Sequence, residues 1–172
     1  QIGKILKKLK ENELDKSTII VVLGDHGWHL GDHSLWNKHS NFEQATRSPL
    51  MIYVPDGKKT IKVSSPTEFV DLFPTLCELS GVPIPKNLDG KSLVPFINQS
   101  NSVEKKYAVS QWHKGKVTGY SFRTETYRYT VWIDKKKSTE LITSTDIVAQ
   151  ELYDYRKDPL ETVNHFGYAE YK

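Results

Sequence analysis

The sequence predicts an α/β protein in which a layered sheet with helices is followed by a smaller antiparallel sheet. Over residues 1–100, helical and strand-like segments alternate along the chain, as they do in layered α/β sheets. After Asp89-Gly90 this alternation stops, and short aromatic and β-branched runs follow one another between polar turns. We therefore expect two parts, residues 1–100 and residues 101–172, with their boundary in residues 98–103.

The first part begins with a helix and a buried strand. Apolar residues recur at helical spacing, with lysines between them, at Ile2, Ile5, Leu6 and Leu9. This pattern predicts an amphipathic helix over residues 2–14 that covers an apolar surface. The apolar run of residues 17–23 is too continuous for a half-exposed strand, and it predicts a central parallel strand covered on both faces.

A second strand and a second helix follow in the first part. Residues 49–54 form another continuous apolar run, which a Pro-Asp-Gly sequence closes. Residues 68–81 have a helical period and end at a glycine, so they predict a helix with Pro74 near its start or at a kink. Cys77 falls on the apolar side of this pattern and is expected to be buried. Because it is the only cysteine, an internal disulfide framework is excluded.

The second part predicts an antiparallel meander. Three segments are rich in aromatic and β-branched residues, and a fourth is a weaker candidate. The predicted strands are residues 107–112, 118–124, 127–133 and 151–154.

Composition limits the classes of function. The chain has 172 residues and 37% hydrophobic content, which suits one globular core, and its net charge is only +3. No arginine-rich stripe indicates nucleic acid as a partner, whereas a sulfated or carboxylated substrate would suit a mildly basic surface. No apolar run reaches the roughly 18 residues that a membrane span needs, so we expect no membrane partner.

The loop after the first predicted strand is the candidate site. The apolar run stops at Gly24, and Asp25 and His26 follow directly. Ligands of open α/β sheets bind beyond the carboxyl ends of strands, and a carboxylate beside an imidazole suits a divalent metal. For an isolated Asp-His-Gly, the simpler interpretation is a polar loop in which Asp25 caps a turn and His26 is a satisfied histidine.

A longer motif favours the metal site over the simple polar loop. GDHGWHLGDHSLWNK, residues 24–38, resembles the sulfatase family of the alkaline phosphatase superfamily, and most closely its iduronate-2-sulfatase branch. The similarity resumes downstream in GYSFRT, residues 119–124, and in YRYTVW, residues 127–132. It therefore covers most of the chain in the correct order, and it implies the C-terminal part of a sulfatase-like mixed sheet followed by a small antiparallel subdomain.

The resemblance implies roles for five residues. Asp25 and His26 match two ligands of a divalent cation, usually calcium, although a histidine ligand leaves manganese or zinc open. Lys38 matches the lysine that contacts the sulfate group and neutralises charge on the leaving oxygen; the alternative is a solvated lysine on a polar loop. His33 and Trp28 match positions near the pocket mouth and are candidate substrate contacts.

The resemblance also implies a part that this sequence lacks. Sulfatases hydrolyse their esters with a formylglycine made from the cysteine or serine of a Cys/Ser-x-Pro/Ala-x-Arg motif, which acts as a covalent nucleophile. Neither that motif nor the usual Asp-Asp ligand pair occurs in this chain. Both belong to the N-terminal half in this family, so we expect that half as a partner and no activity from residues 1–172 alone.

The resemblance thus implies part of a sulfuric ester hydrolase that acts on a sulfated carbohydrate of the glycosaminoglycan type, with a 2-sulfated uronic acid as the finer expectation. Two alternatives stay open: a phosphate or phosphonate monoester hydrolase of the same superfamily, and a non-catalytic sugar-binding domain. By analogy with the family, we expect a periplasmic, secreted or lysosomal location.

Overall fold

The computed structural model describes residues 1–55, 57, 60–99, 106–134 and 143–171, and these residues form two compact units. The first unit takes its residues from 1–25, 48–63 and 70–101, and the second from 26–47, 64–69 and 102–172. The units do not follow the predicted division at residue 100, because residues 26–47 cluster with the C-terminal sheet. Most of the predicted boundary, residues 100–103, lies outside the described residues, and the division of the intact protein into domains stays a prediction.

Four α-helices and eight strands form within the described ranges. The helices are α1 (Ile2–Glu11), α2 (Glu43–Thr46), α3 (Leu72–Leu79) and α4 (Val94–Ile97). The strands are β1 (Ile20–Leu23), β2 (His29–Leu30), β3 (Trp36–Asn37), β4 (Leu50–Tyr53), β5 (Tyr107–Lys114), β6 (Val117–Thr124), β7 (Tyr127–Asp134) and β8 (Ile147–Asp154). None of the described helices is long and apolar enough to cross a membrane.

In the first unit, the predicted helix α1 forms but its apolar face is uncovered. The helix ends at Glu11, and the N–H of the next residue, Asn12, donates to the carbonyl oxygens of Lys8 and Leu9. Ile2, Ile5 and Leu6 are 54%, 63% and 41% exposed. The amphipathic pattern therefore predicted the helix correctly, whereas the apolar surface that it should cover is not supplied by the described residues.

β1 pairs with β4, and the pairing is antiparallel, with Val21 opposite Ile52. Leu23 at the end of β1 is 43% exposed. The prediction of a parallel strand covered on both faces is therefore not met within the described part of the chain. A continuous apolar run indicates burial of a strand in a sheet, but it does not determine the direction of the neighbouring strand.

α3 is held by buried polar groups. Its first turn contains Pro74 as the third residue, where a proline is tolerated, and Cys77 is buried as predicted. Thr75 is fully buried, its hydroxyl donates to the Asp71 carbonyl oxygen at 2.5 Å, and it accepts the Leu93 N–H at 2.8 Å. These bonds connect α3 with the segment before α4.

The second unit contains the predicted meander. β5, β6, β7 and β8 lie in that order in one four-stranded antiparallel sheet, and every consecutive pair is hydrogen-bonded. Ile133 and Tyr153 contribute apolar side chains to its core. A row of fully buried polar side chains lies beside them on β6 and β7: Thr118, Ser121, Arg128 and Thr130.

Candidate functional site

Backbone contacts fix the chain where β1 ends. The Gly24 N–H donates to the Pro49 carbonyl oxygen at 3.0 Å. A Cβ atom at Gly24 would lie 3.2 Å from Pro49 Cδ and 3.3 Å from Ser48 Cβ, so a larger residue would push these segments apart. Asp25 follows with an exposed side chain and is the last residue of the first unit.

His26 and Lys38 form a hydrogen-bonded pair in the second unit. Lys38 Nζ lies 2.8 Å from His26 Nε2, and His26 Nδ1 lies 2.7 Å from the Gly27 carbonyl oxygen. A lysine ammonium can only donate, so Nε2 is the acceptor and the proton of the neutral ring is on Nδ1, which donates to Gly27. The Nε2 lone pair therefore points to the Lys38 side of the ring.

Gly27 allows this loop to pack closely. Its N–H donates to the Ala45 carbonyl oxygen at 2.9 Å. A Cβ atom at Gly27 would lie 1.9 Å from the Gln44 carbonyl oxygen, which no side chain tolerates. His26 is therefore held against α2, and replacing Gly27 would displace it.

A two-stranded hairpin carries Lys38 back to His26. β2 pairs antiparallel with β3, with His29 opposite Asn37. Gly31, His33 and Ser34 in the turn have φ angles of 112°, 52° and 56°. Left-handed conformations at two non-glycine residues are unfavourable and are often found at functional sites.

The two candidate substrate contacts have different surroundings. The Trp28 side chain is 52% exposed, and its ring centroid lies 6.0 Å from that of His26. His33 stacks flat on Phe42, with ring centroids 3.9 Å apart. Its Nε2 is buried and has no hydrogen-bond partner among the described residues. An exposed aromatic face suits a sugar ring, and the unpaired imidazole nitrogen could bind a polar group.

The predicted metal ligands in this chain are Asp25 and His26. The described residues contain no group of three or more His, Cys, Asp or Glu side chains that could hold a metal ion. The hydrogen bond from His26 Nδ1 to a backbone carbonyl is the arrangement that orients a metal-binding imidazole. The donors at Asp25 and His26 thus fit a divalent ion chemically as a partial ligand set. The predicted metal site stays a prediction.

A buried charge network in the second unit was not predicted from the sequence. Arg128 is 1% exposed, and its guanidinium donates to Glu43 Oε2 at 2.7 Å and to Glu161 Oε1 at 2.5 Å. Arg123 Nε donates to the same Glu43 oxygen at 3.0 Å, and the Tyr155 hydroxyl donates to Glu161 at 2.5 Å. This network connects α2, at the end of the site loop, with β6 and β7. Arg123 and Arg128 lie 80 and 85 residues from Glu43 in sequence, and Glu161 lies 33 residues from Arg128, so no local pattern indicates the network.

The network keeps the Glu43 carboxylate ionised. Burial raises the pKa of the Glu43 carboxyl, but the hydrogen bond and charge of Arg123 and the charge of Arg128 lower it by more, so the pKa lies below its ordinary value. Two cations on the partly buried Glu43 carboxylate thus form a stable anchor at neutral pH.

Comparisons with known proteins agree with this fold. The sulfatase family model matches residues 1–82. Iduronate 2-sulfatase from Mus musculus is 32% identical over 97% of this chain and 41% of its own length. The solved structure of a 2-O GAG sulfatase is 29% identical with a TM-score of 0.80, over 99% of this chain and 36% of that one. The solved structure of a phosphonate monoester hydrolase from Silicibacter pomeroyi is 26% identical with a TM-score of 0.78. The match covers 99% of this chain and 35% of that one.

The fold is thus that of the hydrolases that include sulfatases and phosphonate monoester hydrolases. Within this class, the chain belongs to the sulfatase family. The predicted family and fold class are confirmed. The chain spans 41% of the length of the mouse relative and 36% of the solved 2-O GAG sulfatase.

Proposed function

We propose that the intact protein hydrolyses sulfate esters of glycosaminoglycan-type sugars, and that residues 24–38 form part of its active site. The observation that carries this proposal is the pairing of Lys38 Nζ with His26 Nε2 at 2.8 Å. It places a cation beside a metal-type ligand in the segment that follows β1. Family membership supports sulfate ester chemistry for such a site.

The proposed role of Lys38 is electrostatic. Its side chain is exposed and ends in a point charge that can approach a sulfate group. Negative charge develops on the leaving oxygen when the sulfate ester is cleaved, and a fixed ammonium lowers the energy of that state more than the energy of the bound ester. Lys38 therefore acts either on this oxygen or on the remaining sulfate oxygens.

The proposed metal ligands are Asp25 and His26. Family resemblance favours calcium, whereas the imidazole leaves manganese and zinc open. When bound, a divalent ion supplies positive charge that polarises an oxygen of the substrate. His26 would contribute its Nε2, in a ring orientation held by the bond from Nδ1–H to the Gly27 carbonyl. Because Nε2 accepts Lys38 Nζ in the structure, a bound ion would replace that hydrogen bond and leave the neighbouring Lys38 ammonium for the sulfate group. The remaining ligands and the formylglycine nucleophile are proposed to come from a part of the protein beyond residues 1–172.

The proposed substrate carries sulfate on O2 of a uronic acid. Two similar proteins are named as an iduronate 2-sulfatase and a 2-O GAG sulfatase, and this chain matches both over nearly its whole length. Trp28 offers an exposed ring for a sugar face. His33 Nε2 is buried in the described structure, so a substrate contact at His33 rests on the family resemblance. We assign substrate contacts to both. A periplasmic, secreted or lysosomal location would give access to such polysaccharides.

The similar phosphonate monoester hydrolase supports one alternative reaction, and an assay on the intact protein separates the two. We expect a higher kcat/KM for sulfate release from a 2-O-sulfated unsaturated uronic disaccharide than for hydrolysis of an aryl phosphonate or aryl phosphate monoester. The 6-O-sulfated isomer serves as the control for position. A higher kcat/KM for the phosphonate would establish the alternative reaction. Sugar binding without hydrolysis of any ester would indicate a non-catalytic domain.

A further inference from the structure

The β2–β3 hairpin contains a completely buried histidine. His29 has no exposed surface, its Nδ1 is hydrogen-bonded to Asp32 Oδ2, and its Nε2 lies 2.7 Å from Ser40 Oγ. The other Asp32 oxygen accepts the Leu30 N–H at 3.0 Å, and Ser40 Oγ accepts the Phe42 N–H at 3.2 Å. Both ring nitrogens of His29 therefore have partners within the hairpin and the residues that follow it.

The direction of these hydrogen bonds follows from Asp32. The hydrogen bond from the Leu30 N–H, together with the hydrogen bond and charge of His29, lowers the pKa of the Asp32 carboxyl below its ordinary value. An ionised carboxylate only accepts, so His29 Nδ1–H donates to it. In the neutral ring, Nε2 then accepts the Ser40 hydroxyl. Aspartate, histidine and serine are thus connected in one directed chain.

This order is also that of a serine-hydrolase triad, but the surroundings of the serine exclude a nucleophile. Ser40 is 8% exposed, so an ester has no access to its hydroxyl. Its Oγ also accepts the Phe42 N–H, which holds the side chain in place but leaves a second lone pair, so burial is the feature that argues against a nucleophile. The three residues therefore hold structure in place.

We propose that Asp32, His29 and Ser40 form a positioning clasp that sets Lys38 against His26. This inference rests on the proposed function and adds to it the residues that position Lys38. His29 lies opposite Asn37 in the hairpin, and the Ser40 N–H donates to the Lys38 carbonyl oxygen at 3.0 Å. Ser40 and His29 thus fix the backbone on both sides of Lys38.

The backbone beside Lys38 needs such support. Asn37 has a φ angle of 88°, which is unfavourable for a residue with a side chain. Its side-chain oxygen accepts the Lys38 N–H at 2.8 Å, a local bond that favours this turn. A strained conformation persists only where its surroundings hold it. Loss of the clasp is therefore expected to let Lys38 move from His26 while the rest of the unit stays folded.

A double-mutant cycle in the intact protein tests the clasp through Lys38. Ser40→Ala is expected to lower kcat/KM for the sulfate ester by roughly 10–100-fold, as outer-shell substitutions do. In the Lys38→Ala background the same change should cost less than about threefold, because the positioned group is gone. Asp32→Asn is expected to behave in the same way, and Ser40→Thr should restore most of the rate. Equal losses in the two backgrounds would overturn the proposal.

Ser92→Ala is the matched control. Ser92 Oγ accepts the Val94 N–H at 3.2 Å, the same local bond that Ser40 makes, and it has no histidine partner among the described contacts. We expect this variant to keep its kcat/KM. A loss in Ser92→Ala equal to that in Ser40→Ala would contradict a specific role for the clasp.

A second readout does not depend on hydrolysis, so it separates failure of the clasp from failure of the proposed function. The rate at which an amine-reactive ester acylates Lys38, relative to exposed Lys10, is measured by mass spectrometry on the intact protein. We expect a rise of at least about threefold in Ser40→Ala and none in Ser92→Ala, since a Lys38 side chain that the clasp no longer positions is freer to reach the reagent. An unchanged relative rate in Ser40→Ala would contradict the clasp even if sulfate esters are hydrolysed. Labelling of Ser40 by a fluorophosphonate would also overturn it, because a clasp residue is inaccessible.

Discussion

Lys38→Ala in the intact protein is expected to lower kcat/KM for a sulfate ester by roughly 10²–10³-fold, or about 3–4 kcal/mol. The reason is that an ammonium fixed beside His26 neutralises charge that develops in the transition state. The side chain is exposed and fills no core space, so its removal leaves no cavity. The melting temperature should therefore stay unchanged while the rate falls.

Two further variants make this result specific. Lys38→Arg should recover only part of the rate, because a planar guanidinium does not reproduce the point charge of an ammonium. Lys10→Ala removes another exposed lysine, on α1, and should change neither rate nor melting temperature. A near-normal kcat/KM in Lys38→Ala would show that Lys38 is an ordinary surface lysine.

Arg128→Met is expected to destabilise the protein by about 3–5 kcal/mol, the usual effect of removing one partner from a buried ion pair. Its guanidinium contacts two carboxylates, and its side chain is 2% exposed. Methionine would leave Glu161, whose side chain is fully buried, without its cation. Denaturant unfolding of the intact protein measures the free energy, and hydrogen exchange of the β6 and β7 amides shows where protection is lost.

Arg47→Met is the matched control for this experiment. Arg47 also approaches Glu43, with Nη1 3.9 Å from Oε1, but its side chain is 78% exposed. Exposed ion pairs contribute about 0–1 kcal/mol, so this variant should unfold close to wild type. Similar free energies of unfolding for Arg47→Met and Arg128→Met would contradict the anchoring role of the buried network.

Local patterns in the sequence were sufficient for most elements. The helical spacing of Ile2, Ile5 and Leu6 predicted α1, and the aromatic and β-branched runs predicted the meander of β5 to β8. The glycine-flanked pair led to His26, and the resemblance to sulfatases led to Lys38, which the structure brings within hydrogen-bonding distance of His26. Such patterns succeed because they express the periodicity of one element or a short motif that its family shares.

Interactions between distant segments were not predictable in this way. β1 pairs with β4 in the antiparallel direction, and an apolar run in the sequence does not indicate the direction of the neighbouring strand. Arg128 and Glu161 are charged residues that sequence alone assigns to the surface, yet both are buried because they satisfy each other. From the sequence alone, His29 would likewise be assigned to an exposed polar loop. Its burial follows only from the positions of Asp32 and Ser40.

Metal binding by the intact protein tests most directly whether Asp25 and His26 belong to the active site. Equilibrium dialysis against calcium, manganese or zinc gives the amount bound and the affinity for wild type, Asp25→Ala, His26→Ala and the control His113→Ala. We expect one divalent ion per chain in wild type and in the control, and an affinity lowered by more than about 10-fold in the Asp25 and His26 variants. Wild-type affinity in both of these variants would contradict the assignment of the metal site.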